Sequence, residues 1–438
     1  MYGDEHELIE SMAGLLGWCY LVAGAMNVVA GACALRKRRF VRAAAWLLVG
    51  LAFGIIGACS LAGSPPAMPE GLKAAIDAAL GPVTFTFGAL ITLVVLYMGR
   101  KFFVIPAVAL AGLNASLLFL GLSMTDPEFA AVVTRPDNVP IVAMVYLLAF
   151  FTWHSAALAV ENDRRLREGS PPAEKELQQK VLCWPDLVYI ELIAMILATV
   201  LLVVWSLGVT APLEQPANPV VTPNPSKAPW YFLGLQEMLV FSDPWYAGVV
   251  VPCAIIVGLM AIPYLDRNPR GSGYYTIQQR PFAYPIFQFG FLQLWVLLIL
   301  IGTFMRGPNW NFFGLYEVRD PHKVLALNNI KLSEYFWVMW LGRGLPQVPA
   351  DGGALVRLAC ILWREIAGLA LLAVYFFALP PLLGRTVMKQ LRAQMGWGRF
   401  TLMAVLLLMM ITLPLKMILR WTMNLSYVVS MPEYLLNF

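Results

Sequence analysis

The sequence predicts an all-α integral membrane protein with about ten transmembrane helices and long external loops, and three observations carry that reading. Of 438 residues, 59% are hydrophobic and only 13% charged, too few charges to cover a soluble globule of this size. Apolar runs of about 20 residues recur along most of the chain, the length a hydrocarbon core of roughly 30 Å demands of a helix. The basic residues fall in short loops between those runs, a pattern that orients a membrane protein and does not suit nucleic acid.

Taken in order, the runs place spans at 8–35, 43–63, 82–99, 102–123, 140–160, 186–210, 245–265, 284–305, 355–382 and 400–420. The first is long enough to be a retained span instead of a cleaved leader. Arg36 to Arg39, Arg100-Lys101, Arg164 to Lys180, Arg267 to Arg280 and Arg385 to Arg399 hold most of the positive charge and alternate across the membrane. The positive-inside rule makes these loops cytoplasmic and both termini external, in a bacterial-type inner (cytoplasmic) membrane. Longer external connections follow at 64–81, 125–139, 210–244 and 306–354; within the last, Leu332 to Leu341 is too short to span and reads as an interfacial aromatic helix.

Four regions result: 1–160, a five-helix membrane module without a chemical motif; 161–180, a charged linker with Pro171-Pro172; 181–382, with the external loop 210–244; and 383–438, a cytoplasmic loop, the last span and an external tail. In the first module Asn27 and Asn114 are the main polar interruptions and are expected to bridge helices. The six cysteines are scattered without a Cys-x-x-Cys or Cys/His cluster, so no metal site is expected. Of the three histidines only His154 lies in an apolar run, so this chain alone is not expected to hold a haem between two histidines. His154 reads either as a ligand to a haem shared with another chain or, more simply, as a helix-bridging residue.

From Trp184-Pro185-Asp186-Leu187-Val188-Tyr189 onward the sequence resembles the C-terminal half of the cytochrome b family, in the version found as a separate chain, subunit four, in photosynthetic cytochrome complexes. The likeness continues through Pro216-Ala217-Asn218-Pro219, Thr222-Pro223, Ala228-Pro229-Trp230-Tyr231-Phe232, Pro263-Tyr264-Leu265-Asp266 and Arg280-Pro281. It covers 181–310 well, weakens to 382 and is absent from 1–180.

This resemblance implies a subunit of a cytochrome bc-type quinol:electron-acceptor oxidoreductase that supplies the external quinol-oxidation pocket and has no activity alone. Menaquinol or ubiquinol would bind at Lys227, Ala228, Pro229, Trp230, Tyr231 and Phe232. Haem b would sit on a partner resembling the cytochrome b N-terminal half, and an iron–sulfur protein or c-type cytochrome would accept electrons outside. Where the family has Pro-Glu-Trp-Tyr, however, this chain has Ala228 and Pro229 before Trp230, so the glutamate that takes a quinol proton is missing. Glu237 is the nearest acidic replacement, with Tyr231 beside the quinol; Glu237 reads equally as a partner of Lys227 or a water-facing side chain. Asp186 and Glu191 open the sixth span, where a cytoplasmic quinone or proton site would lie, although Asp186 also suits a helix start. The external run Arg306 to Gly314 is expected to seat a redox partner or brace the Trp230 loop. The alternative function is a non-redox membrane anchor that holds cytochrome subunits together.

Overall fold

A computed structural model describes residues 5–176, 180–209, 216, 218–270, 275–323, 328–349 and 352–438. Ala217 of the Pro-Ala-Asn-Pro motif, residues 210–215 of the external loop and 177–179 of the linker lie outside the described residues. The fold is all-α. Nine helices are long and apolar enough to cross a membrane, or up to ten when the bent pair is counted as one span, among the described residues.

In chain order the membrane helices are α1 (Glu5–Arg36), α2 (Phe40–Leu61), α4 (Pro82–Met98), α5 (Pro106–Ser123), α6 (Val139–Arg167), α7 (Val188–Gly208), α9 (Tyr246–Leu265), α10 (Ala283–Met305), α11 (Ile366–Arg385) and α12 (Trp397–Met423). Two short helices complete the frame: α3 (Glu70–Ala79), bent 79° from α4, and α8 (Trp230–Met238) in the external loop. Two small two-stranded pairings join Ile330–Lys331 to Leu425–Tyr427 and Ser430–Met431 to Leu436–Asn437.

Two boundaries differ from the expectation. Helix α6 runs to Arg167, so the first seven residues of the expected linker are helical; Arg164 pairs with Glu161 at 2.6 Å and Glu168 at 3.3 Å, turn-spaced pairs that suit a helix extending into water. The span expected at 355–382 is broken at Glu365 into a helix Ala354–Arg364 and α11. At the break Arg364 contacts Glu365 at 3.0 Å and Glu433 at 2.7 Å, and donates to the Ser430 carbonyl at 3.1 Å. An apolar run read without its charges hides such a break. The interfacial segment begins at Leu332 as expected, its helix reaching Trp340.

Helices α1 and α2 pack through a seam of small residues spaced by seven. A Cβ at Gly24 would stand 3.1 Å from the Gly50 carbonyl oxygen, and one at Gly57 would stand 3.0 Å from that of Gly17. Backbones approach this closely only when neither residue has a side chain, the usual basis of helix association where lipid removes the hydrophobic driving force. Gly24→Leu is therefore expected to destabilise the module by about 1–3 kcal/mol, as overpacking does, read as a lowered Tm of the detergent-purified protein. Gly54→Leu, where nothing lies within 4 Å of the added Cβ, is the control and should leave Tm unchanged.

Asn27 and Asn114 exchange two amide hydrogen bonds of 2.8 Å between α1 and α5, the bridge their placement implied. The N-terminal module also grips the second half at both membrane surfaces. At one end of the membrane helices Ser123 and Tyr316 share a 2.7 Å hydroxyl contact, Phe129 stacks on Tyr316, and Asp77 accepts from the Tyr316 N–H at 3.2 Å. On the opposite side Asp163 accepts from the backbone N–H groups of Ile277 and Gln278 at 3.1 and 3.0 Å. Helix α7, in contrast, is exposed along its whole length, leaving its surface to lipid or another chain.

Candidate functional site

The loop between α7 and α9, expected to be external, is built around α8. Pro229 precedes the first helical residue with φ −50° and ψ 146°, an extended entry that proline favours, and Trp230 opens the helix. Gln236 fastens the preceding strand of loop onto that helix: its side chain accepts from the Ala228 N–H at 2.8 Å and donates to the Ser226 carbonyl at 2.9 Å. A second fastening comes from the loop after α10. Asn224 and Asn309 exchange hydrogen bonds, side chain to side chain at 2.9 Å and from the Asn309 N–H at 2.6 Å, with Asn309 in the left-handed conformation (φ 56°) that asparagine tolerates.

The segment Lys227 to Phe232 is thereby divided by environment. Trp230 is half-buried and lines an apolar cleft of about 70 Å³ with Trp295 and Ile299 of α10 and with Ile141, Met144, Val145 and Leu148 of α6. One wall of the cleft thus comes from the N-terminal module. Tyr231 and Phe232 are exposed, their rings in contact at 4.7 Å between centroids.

Glu237 lies elsewhere. Its side chain is fully buried and takes a two-pronged bond from Arg306, Nε to Oε2 at 2.9 Å and Nη2 to Oε1 at 2.5 Å. The third arm of the guanidinium donates to the Trp310 carbonyl at 2.8 Å, and the Phe312 and Trp421 rings enclose the group at 5.8 and 5.7 Å. Burial pushes the Glu237 carboxyl above its ordinary value, and the Arg306 charge opposes that rise. The partner of Glu237 is thus Arg306, not Lys227 or water. Glu237 does not line the Trp230 cleft, and Tyr231, six residues earlier on the helix, sits on the exposed side while Glu237 faces inward.

Lys227 is mostly enclosed and donates from Nζ to the Thr303 carbonyl at 2.8 Å. Burial brings its ammonium down to about 8, with Arg135 and Arg319 adding to the fall and Asp137 and Glu237 opposing it. A further polar atom of the same stretch of α10, the Thr303 hydroxyl, is buried without a hydrogen-bond partner among the described residues. Because the unfolded chain holds the Lys227 proton up to the ordinary lysine value while the folded one releases it near 8, stability should rise with pH between about 8 and 10.5. Lys227→Met should flatten that rise, which unfolding midpoints measured across the window would show.

Asp186 and Glu191 are exposed at the start of α7 and are not brought to the external site. A haem held between two histidines does not fit the residues present. His154 is exposed and stacks on Phe150 at 5.9 Å, His322 is exposed in the external loop, and the side chain of His6 lies outside the described residues.

Arg306 and Gln236 are the site residues that the sequence reading did not single out. The charge of Arg306 just past an apolar span was visible, as was its place in a run expected to brace the loop; its pairing with Glu237, 69 residues earlier, was not.

Comparison with known proteins locates the likeness in this region. Residues 216–318 match the family described as Cytochrome b(C-terminal)/b6/petD. A protein named cytochrome b from Allochromatium vinosum is 40% identical over 88 residues, 19% of this chain and 21% of that protein. The chain therefore spans about a fifth of the length of that curated relative. No solved structure matches the chain.

Proposed function

We propose, from the match of residues 216–318 to the cytochrome b C-terminal family, that the chain is a subunit of a membrane quinol:electron-acceptor oxidoreductase and supplies its external quinol pocket. The observation that carries the reading is the Trp230 cleft inside the matched segment: an apolar slot beside a flat aromatic ring, with polar groups of Lys227 and Thr303 on the same loop and helix. A quinol needs apolar walls for its ring and tail and a few polar groups for its hydroxyls.

On this reading Trp230 packs against the ring and Tyr231, exposed beside it, offers its hydroxyl to a quinol oxygen. Pro229 and Ala228 shape the backbone entry and Phe232 covers the outer edge. With glutamate absent from position 229, the quinol proton needs another acceptor. On this reading Glu237 accepts the proton once Arg306 releases one of its carboxylate oxygens.

Electrons leave to an external iron–sulfur protein or c-type cytochrome and to haem b on a partner chain. The exposed α7 suits such a partner, because Glu191 stands exposed on that helix and an ionisable side chain facing lipid is costly. Asp186 and Glu191 would then border the opposite-side quinone or proton site at that junction. On this reading the junction lies on the cytoplasmic side of an inner membrane with both termini outside, which the basic loops support.

The non-redox anchor is the second reading, and one observation favours it: the glutamate of the signature is replaced by Pro229 while Glu237 is taken up by Arg306. A photoreactive quinone analogue separates the two. Labelling of the peptides holding 141–148 and 230–232, competed away by quinol, is the expected result; labelling that no quinol displaces leaves the anchor.

A further inference from the structure

On the membrane face opposite the Trp230 loop, a polar cavity of about 100 Å³ opens where the short helix Arg100–Phe103, the end of α6 and the loop before α10 meet. Arg100, Lys101, Asp163, Arg167 and Gln278 line it, three cations against one carboxylate. That carboxylate is already engaged, one of its oxygens accepting both backbone N–H groups of Ile277 and Gln278. Arg100 is aimed by its bond to the Tyr97 carbonyl at 2.8 Å and lies 4.7 Å over the Tyr97 ring, and Arg167 is fixed by Nε to the Asp163 carbonyl at 3.0 Å. Lys101 makes no hydrogen bond or ion pair, and neither arginine has a carboxylate within ion-pair distance, among the described residues.

The cavity therefore concentrates positive charge that the chain itself does not neutralise. Its depth is set by its neighbours. Helix α4 ends at Met98 and α5 begins at Pro106, so the cations stand where hydrocarbon gives way to water. Met98 is 75% exposed and Phe102 57%, apolar side chains on either side of the adjacent cations Arg100 and Lys101. A soluble anion would use the cations alone and leave those side chains in water, whereas a lipid meets both, its phosphate against the cations and its acyl chains against Met98 and Phe102.

We propose that this cavity binds the phosphate headgroup of an anionic phospholipid and so fastens the N-terminal module to the second half at the membrane surface. Asp163 already joins the two halves there, and a phosphate shared by Arg100, Lys101 and Arg167 completes the junction by removing the repulsion among the three cations.

The test uses the full chain purified in mild detergent, with Lys101→Gln and Arg167→Gln singly and together. Binding of phosphatidylglycerol, phosphatidylcholine and inorganic phosphate is followed by native mass spectrometry and by the shift in Tm. Phosphatidylglycerol is expected to bind and raise Tm, phosphatidylcholine and inorganic phosphate are not, and each substitution should weaken phosphatidylglycerol binding about fivefold, the worth of one cation near an anionic surface. Because Lys101 is exposed and otherwise unbonded among the described residues, Lys101→Gln should keep the Tm of the lipid-free protein and weaken only the lipid response. Equal binding of phosphatidylcholine, a phosphate response as large as the lipid's, or full phosphatidylglycerol binding by the double variant would each overturn the proposal.

Discussion

Arg306→Ala is expected to destabilise the external half of the protein by about 3–5 kcal/mol, the cost of leaving one member of a buried ion pair without its partner. Glu237 is fully buried, and Arg306 supplies the cation and both hydrogen bonds shown to its carboxylate oxygens. Without the guanidinium the carboxyl must take up a proton or draw water into the space between α8, α10 and the Trp421 ring. The same change frees the Trp310 carbonyl, so the turn at 307–311 loses its tie to α8 as well. Limited proteolysis in the 306–323 loop and a lowered Tm would report the loss. Arg306→Lys should fall between the two, since an ammonium keeps the charge but cannot reproduce the planar fork. Wild-type stability in Arg306→Ala would show that the pair does not organise this loop. Glu237→Gln separates positioning from proton transfer: a positioning role lowers activity equally at every pH, whereas a proton-accepting role removes one limb of the pH–rate profile.

The second large effect is expected at Trp230. Trp230→Ala removes the aromatic wall of the cleft between α8, α10 and α6, and loss of a tryptophan at the centre of a binding site typically costs about 2 kcal/mol or more. In quinol-driven assays that corresponds to roughly a thirtyfold rise in the quinol concentration needed for half-maximal rate. Trp230→Phe should recover most of it, because a smaller aromatic face remains. Val145→Trp, on the opposite wall contributed by the N-terminal module, should impair quinol turnover by filling the slot from the other side. That result would give residues 1–160 a direct part in the pocket in addition to their clamp on Tyr316 and on the 275–280 loop.

The membrane class was legible because it rests on bulk composition and on runs that a bilayer imposes, and Phe40–Leu61, Tyr246–Leu265, Ala283–Met305 and Trp397–Met423 fall close to the expected spans. What escaped was set by pairs distant in sequence. Arg364 and Glu365 stand at the break in the span expected at 355–382, and there they engage Glu433 and Ser430, more than sixty residues later. The seven-residue spacing of Gly17, Gly24 and Gly31 was available in the sequence, yet it acquires meaning only beside Gly50 and Gly57 of the next helix. At the site, the exposed Tyr231 and the inward Glu237 agree with their six-residue spacing on a helix, since that separation puts them on different faces. The wall formed by α6 could not have been read from residues 1–160, where Ile141, Met144, Val145 and Leu148 are ordinary span residues until α10 lies against them.

The most direct test of the quinol-subunit reading is purification of the native complex in mild detergent, identification of its chains, and reduced-minus-oxidised spectra recorded as quinol is added. The account predicts a haem b-bearing partner that co-purifies with this chain and is reduced by quinol, with reduction slowed in Trp230→Ala. A complex that reduces haem at the wild-type rate in Trp230→Ala, or one with neither haem nor quinol activity, would contradict it.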